Sequence, residues 1–461
     1  MIRCAGVALA VLLVSVLAAG TVRANTCPRC LSAGAASAPL RVPEGVPLAG
    51  YGTFTRRLLF PDLLGWYPHA FWFKPAQGTR DALGVRALVL ETPSTRLVWV
   101  TLDLVAVDAG FTEEIERRIS GAGLRAGTLL VSASHTHSGP GAFVDSALFA
   151  GVALDRYDVT VRDALADAVM AAVRGADAGR VPALVGAARA VVPPLTRSRL
   201  ARPLDSEVAV LKVTTVAGAP IAIVWNYAIH GTMLGARNLR LSADVMGVTS
   251  RELERTLGVP ALFVNGAVAD VSPARHGAAA LDETGRSLAT SVRGAWERAR
   301  PAPSELFAVR RGVVELPAPS LSIRNCVGRS APALARWVPR GLAIPLGGLV
   351  AREARLVAGA VGSVAWVTVP GELQTALGQL ARARAGTRWG TTLVAGLTND
   401  YLGYFVTPED FERPAYVTCA SVFGAAAGRC LAETAGDLLR DVAGGSSELR
   451  RACASGATGT G

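Results

Sequence analysis

The chain has 461 residues, 51% of them apolar, and a formal charge of +11. That length suits one large domain or two ordinary ones, with enough apolar residues for a sizeable core. The positive charge does not mark a nucleic-acid binder: Lys occurs only at Lys74 and Lys212, and the arginines are scattered among Ala, Gly and Val with no basic run interleaved with aromatics.

Residues 1–24, MIRCAGVALAVLLVSVLAAGTVRA, have a short basic start, an apolar stretch and a V-R-A ending. This predicts a signal peptide cleaved after Ala24 and an exported protein, periplasmic or secreted, of bacterial type. The apolar stretch is short for a membrane span, no later stretch reads as one, and no Cys at the cleavage point offers a lipid anchor. Six cysteines then remain: Cys27, Cys30, Cys326, Cys419, Cys430 and Cys453. An even number in an exported chain suits disulfides, with the pairing left open. Cys27 and Cys30 form a C-x-x-C without a preceding βαβ unit, which favours a structural disulfide over redox chemistry.

Residues 25–45 are rich in Ala, Ser and Pro and read as a loose linker. From there to residue 442 short apolar runs alternate with amphipathic segments. Strands are predicted at 87–91, 97–105, 128–134, 208–215, 221–229, 261–265, 363–369 and 392–397, and helices at 112–120, 161–176, 250–257 and 281–299. Continuous apolar strands alternating with helices predict an α/β domain with layered sheet covered on both faces. Residues 443–461 read as a flexible tail.

Polar residues cluster just after five of these strands: His135 and His137, His230, Asp270 and Ser272, Glu372, and the run from Thr398 to Tyr404. Ligand crevices of α/β sheets lie at the carboxyl ends of strands, so these residues are expected at one edge. His135 and His137 are i and i+2 and in an extended segment would face the same way. Each of these residues alone has a bland reading: a hydrogen-bonded strand-end His, a Glu favouring a helix dipole, a turn Ser before Pro273. Two His and a carboxylate together match a catalytic zinc site. A G-x-S-x-G elbow is absent, the H-x-H-x-D-H pattern is interrupted by Gly139 and Pro140, and neither Lys sits where a metal-bridging Lys would.

The motifs PLAGYG (47–52), RALVLE (86–91), SHTHSGPG (134–141), NYAIHGTML (226–234), LSADVMG (241–247), DVSP (270–273), VPGE (369–372) and NDYLGYFVTPEDFE (399–412) occur in this order. In that set the chain resembles the neutral/alkaline non-lysosomal ceramidases over about residues 45–440. The resemblance implies one zinc ion held by His135, His230, Glu372 and Tyr404. It further implies His137 beside the substrate, Ser272 in catalysis, and Arg197 and Tyr416 in the active site. The implied reaction is hydrolysis of the N-acyl bond of ceramide or a related lipid amide presented at a membrane or micelle surface. Another amide or ester substrate, or a non-catalytic lipid-binding role, are the alternatives. The chain departs from the family pattern in ending where a C-terminal β-sandwich domain would begin. It also carries an insertion-like stretch, RRLLFPDLLGWYPHAFWFKP (56–75), able to form a lipid-facing lip or to pack inside.

Overall fold

The structure is a computed structural model and describes residues 27–454 except 28 and 446; the expected signal peptide lies outside them. The larger of two main sheets contains β1 (Leu31–Pro39), β2 (Gly84–Glu91), β3 (Arg96–Leu102), β4 (Thr128–Ala133), β5 (Val181–Val191), β6 (Glu207–Thr215), β7 (Pro220–Tyr227) and β8 (Ala261–Asn265). Its order is β4-β3-β2-β1-β5-β6-β7-β8, antiparallel except for the parallel pairs β3–β4 and β7–β8. The second sheet is built from β9 (Phe307–Glu315), β10 (Glu353–Val361), β11 (Val364–Thr368), β12 (Thr391–Ala395) and β13 (Leu449–Ala452), in the order β12-β11-β10-β9-β13.

The two sheets pack face to face. Leu88, Trp99 and Val224 of the first share a core with Val357, Trp366 and Leu393 of the second. The Trp99 and Trp366 rings are 5.5 Å apart. Helices α1 (Ala109–Gly121) and α2 (Val159–Ala178), with α3 (Asp244–Leu257) and α4 (Ala278–Arg298), cover the outer face of the larger sheet. Helices α5 (Thr375–Ala385) and α6 (Ala425–Asp441) cover that of the smaller. This layering explains why β3 and β8 are buried at every residue: each strand has protein on both faces and no polar alternation. The predicted α/β layered fold is what the chain adopts, without a C-terminal β-sandwich among the described residues.

Two boundaries move. The middle of the stretch read as a linker is β1, at the centre of the larger sheet and paired with β2 and β5. Its small residues are a packing device: a Cβ on Gly34 would lie 2.2 Å from the Ala176 carbonyl oxygen, so α2 can cross here only over a residue without one. At the other end, part of the supposed tail is β13, running parallel to β9 and fastened by a Cys430–Cys453 disulfide. Cys27–Cys30 and Cys326–Cys419 are also paired. No helix among the described residues is long and apolar enough to cross a membrane.

The twist of the larger sheet brings its two ends together. Six strand steps separate β4 from β7, and at roughly 20–25° per step their directions rotate by about 120–150°. One of those steps is parallel and five are antiparallel, so β4 and β7 are opposed within the sheet and the twist turns them towards a common direction in space. Just beyond their ends Thr136 and Gly231 bridge in parallel, with Gly231 N donating to the His135 carbonyl and His137 N to the Gly231 carbonyl.

Candidate metal centre and cleft

The segment after β4 turns sharply. His135 has φ of 71°, a left-handed conformation that non-glycine residues seldom adopt and that marks local strain. The expectation of an extended H-x-H is thus corrected: β4 ends at Ala133, and a tight bend brings the rings together. Their centroids are 4.9 Å apart, and that of His230, arriving after β7, is 4.5 Å from His135. All three rings are buried, and one ring nitrogen from each can be chosen so that all lie within 4.8 Å of one another. His135 Nδ1 is 2.7 Å from the Val105 carbonyl, which makes it the protonated nitrogen and turns Nε2 inward as a free acceptor. His137 packs under Gly50, where a Cβ would lie 2.5 Å from its Nδ1 and where φ is +95°.

The second sheet contributes Glu372. The turn after β11 carries it into a two-residue parallel pairing in which Glu372 lies opposite Tyr404. Its carboxylate spans the histidines, with Oε1 3.4 Å from His135 Nε2 and Oε2 3.1 Å from His230 Nε2. Tyr401 donates its hydroxyl to Glu372 Oε1 at 2.8 Å. The sequence reading passed over Tyr401 in favour of Tyr404; the signal available was a second Tyr three residues away in the same loop.

Ser272 lies in the short strand Val271–Pro273, paired with Thr196–Ser198. Arg197 is its register partner, yet the Arg197 side chain is exposed. It is Arg199 that reaches Ser272, donating from Nε to Oγ at 2.7 Å. The arginine expected in the site by resemblance, Arg197, thus points to solvent here, and Arg199, two residues on and beyond the paired strand, is the one in contact with Ser272. Tyr416 is 46% exposed at the rim of the cleft, its ring 5.8 Å from that of the buried Tyr404.

Electrostatics follow from burial. His230 is pushed down to about 3 by desolvation, with Arg199 and His135 adding to the effect. Desolvation, His135 and His230 likewise hold His137 well below the usual range. Burial alone would raise the Glu372 carboxyl, but His135 and His230 beside it hold it well below that of an ordinary carboxylate. Burial and the Glu372 charge push the hydroxyls of Tyr401 and Tyr404 well up. A carboxylate thus sits beside two imidazoles, His137 and His230, whose neutral forms burial favours, the protonation states a divalent cation needs.

The donor set fits such an ion. His135 Nε2, both ring nitrogens of His137 and of His230, and Glu372 Oε2 are buried without a hydrogen-bond partner. Orphaned polar atoms are costly, and a cation bound by imidazole and carboxylate would satisfy several of them at once. The cluster opens into a cleft of about 370 Å³ lined by Val105, Val107, Val144, Phe149, Leu154 and Leu349 among other residues, with Tyr404 and Tyr416 beside them.

Fold and site together define an α/β-layered protein with a buried cluster of His and carboxylate, able to hold a metal ion, under an apolar cleft. Residues 69–292 match the profile of the family described as neutral/alkaline non-lysosomal ceramidase, N-terminal. A neutral ceramidase of Mycobacterium tuberculosis is 24% identical over 203 residues, 39% of this chain and 32% of that protein's own length. The crystal structure of neutral ceramidase from Pseudomonas aeruginosa superposes with a TM-score of 0.73 at 17% identity, covering 90% of this chain and 74% of that one. A structure described as ceramidase complexed with C2 gives 0.74 at 16% identity, covering 90% and 75%. The resemblance therefore holds in profile over residues 69–292, which include HTHSGPG, NYAIHGTML and DVSP, and in fold over 90% of the chain.

Proposed function

We propose that this protein hydrolyses the N-acyl amide bond of ceramide or a related lipid amide, giving a fatty acid and a sphingoid-type amine. One zinc ion would be held by His135, His230, Glu372 and Tyr404. The observation that carries this reading is the convergence of three buried histidines and Glu372, with unpartnered nitrogen and oxygen atoms, at the floor of an apolar cleft. The neutral ceramidases whose fold it shares support the substrate class. Three disulfides support an exported protein, periplasmic or secreted.

When bound, zinc supplies Lewis acidity to the carbonyl and makes water a nucleophile near neutral pH. The chain's own groups handle position and protons. His137 is neutral, so it can deliver a proton to the leaving nitrogen only after accepting one from the attacking group. Arg199 holds the Ser272 hydroxyl from one side and places positive charge where oxyanion character would develop. Tyr401 fixes the Glu372 carboxylate so that it stays aimed at the two histidines. The apolar walls accommodate acyl chains and keep bulk water from the reacting bond.

Metal analysis of the purified protein, coupled to ceramide hydrolysis with and without chelator, tests this directly. Stoichiometric zinc, activity lost to chelator and restored by zinc, and inactivity of His135→Ala are expected. Protein without bound zinc whose His135→Ala variant behaves like the parent would end the enzyme reading. Comparing ceramide with N-acyl amino acids as substrates separates the favoured lipid amide from another amide.

A further inference from the structure

The stretch 54–72 exposes large apolar side chains that the fold does not use. Phe54, Leu59, Phe60, Leu63, Leu64 and Trp66 are each more than 70% exposed. The loop's shape is held by polar bonds. Asp155 accepts the backbone N–H groups of Phe71, Trp72 and Phe73 at 2.9–3.0 Å, His69 pairs with Asp158 at 2.6 Å, and Arg57 bonds the Gly151 carbonyl. The segment it grips is the one whose Val152, Ala153 and Leu154 line the cleft. The loop therefore stands at the mouth of the site.

A second segment does the same. Trp337 is 84% exposed, with Leu334, Leu342, Ile344 and Leu349 between 47% and 60%, and Leu349 and Val350 line the same cleft. This segment is tied to the rim by the Cys326–Cys419 disulfide and by Arg329, whose guanidinium lies 5.3 Å from the centre of the Tyr416 ring.

Charge separates the possible occupants. Of the basic residues in 51–80, Arg56 is buried and Arg80 pairs with Asp81 and Asp282, which leaves Arg57 and Lys74 partly exposed beside Asp62, a carboxylate already engaged by the backbone N–H groups of Trp66 and Tyr67. Residues 316–352 carry Arg324, Arg329, Arg336, Arg340 and Arg352 and no Asp or Glu; Arg324 and Arg340 share Glu412 and Arg352 faces Glu315, while Arg329 and Arg336 make no ion pair among the described residues. Two segments tipped with Trp and Leu, each net positive and with the nearby carboxylates already paired to their own arginines, are poorly suited to meet a second copy of themselves. They match an anionic bilayer, where Trp settles at the interface and each basic residue adds attraction.

We infer that these two segments form a collar that docks the cleft mouth onto an anionic phospholipid surface, so that an acyl chain passes from the bilayer to the metal centre without crossing water. The reason for such a device rests on the lipid-amide reading; the docking itself does not. The test is co-sedimentation with vesicles of phosphatidylcholine alone and of phosphatidylcholine mixed with phosphatidylglycerol. The variants are Leu63→Ser with Leu64→Ser and Trp66→Ser, Leu334→Ser with Trp337→Ser, and Arg336→Gln with Arg340→Gln. The parent should partition onto phosphatidylglycerol vesicles, and each apolar variant should lose on the order of tenfold in partitioning at an unchanged unfolding midpoint. The arginine variant should lose the preference for anionic vesicles, and activity on a monomeric short-chain acyl amide should persist in all three. A parent that stays in the supernatant, or apolar variants that partition equally well, overturns the inference. So does a parent that is a dimer in solution and ignores vesicles while the apolar variants are monomers. Vesicle binding by a protein that hydrolyses nothing sinks only the proposed reaction.

Discussion

Arg199 donates from Nε to the Oγ of Ser272 at 2.7 Å, although Arg197 is the residue paired with Ser272 across the strands. Replacing Arg199 by Ala should remove both the positioning of Ser272 and a positive charge beside the histidines. A fall in kcat of roughly 10²-fold is expected, the usual cost of deleting one oxyanion-stabilising donor. Arg197→Ala should stay within about twofold of the parent, because that side chain is exposed. Steady-state kinetics of the two variants decide between the arginines; equal losses would return the role to Arg197.

Tyr401→Phe deletes one hydroxyl and leaves the ring. Its hydrogen bond to Glu372 Oε1 is a support for a candidate metal ligand, so zinc affinity should fall about 10–100-fold. Competition against a chromophoric chelator measures this without any assay of activity. Unchanged affinity would reduce Tyr401 to a wall of the cleft.

Removal of the metal should destabilise the fold. His135, His137, His230 and Glu372 present buried unpartnered atoms, and a ligand bound only by the native state adds stability in proportion to its occupancy. The thermal midpoint should drop on chelation and recover with zinc. The same treatment should leave Glu372→Gln nearly unmoved, since that variant has lost the carboxylate charge that holds the ion.

Asp244, at the start of α3, is fully buried; desolvation pushes its carboxyl up to about 6 against the pull of backbone amides from Val245, Met233 and Leu234. An unfolded Asp titrates near 4, so between roughly pH 4 and 6 the folded state holds a proton that the unfolded chain has released. This group's contribution is therefore full below about pH 4 and declines as pH rises through 6. Asp244→Asn should flatten that part of the profile and raise stability at neutral pH by on the order of 2 kcal/mol. Urea unfolding across this range reads the difference; parallel profiles for parent and variant would exclude Asp244 as the source.

The Cys326–Cys419 disulfide joins a helical turn at Ile323–Ser330 to the one that starts at Tyr416. Its sequence separation of 93 residues makes it a strong constraint on the unfolded chain, on the order of 3–4 kcal/mol. Replacing both cysteines by Ser should lower the thermal midpoint and loosen the rim around Tyr416. A rise in KM with kcat little changed is the kinetic mark of that loosening.

Much of the centre was legible because its parts are local. An apolar run ending in polar residues declares itself over a few residues, and five such runs, three of them leading to His or Glu, indicated one edge of a layered α/β protein. The β1 segment was illegible for the opposite reason. Leu31–Pro39 reads as linker by composition, and only the approach of α2 to Gly34 shows that small residues are required there.

Sequence alone thus determined which side chains are candidates for the site: His135, His137, His230, Ser272, Glu372 and Tyr404 follow continuous apolar runs that end in polar residues, Gly and Pro. Tertiary structure decided which arginine faces Ser272, that Tyr401 supports Glu372, and that the ends of a twisted sheet meet. Once a strand ends, the direction of a side chain depends on a few backbone angles. Those angles are set by contacts with segments distant in the chain, and residue type does not encode them.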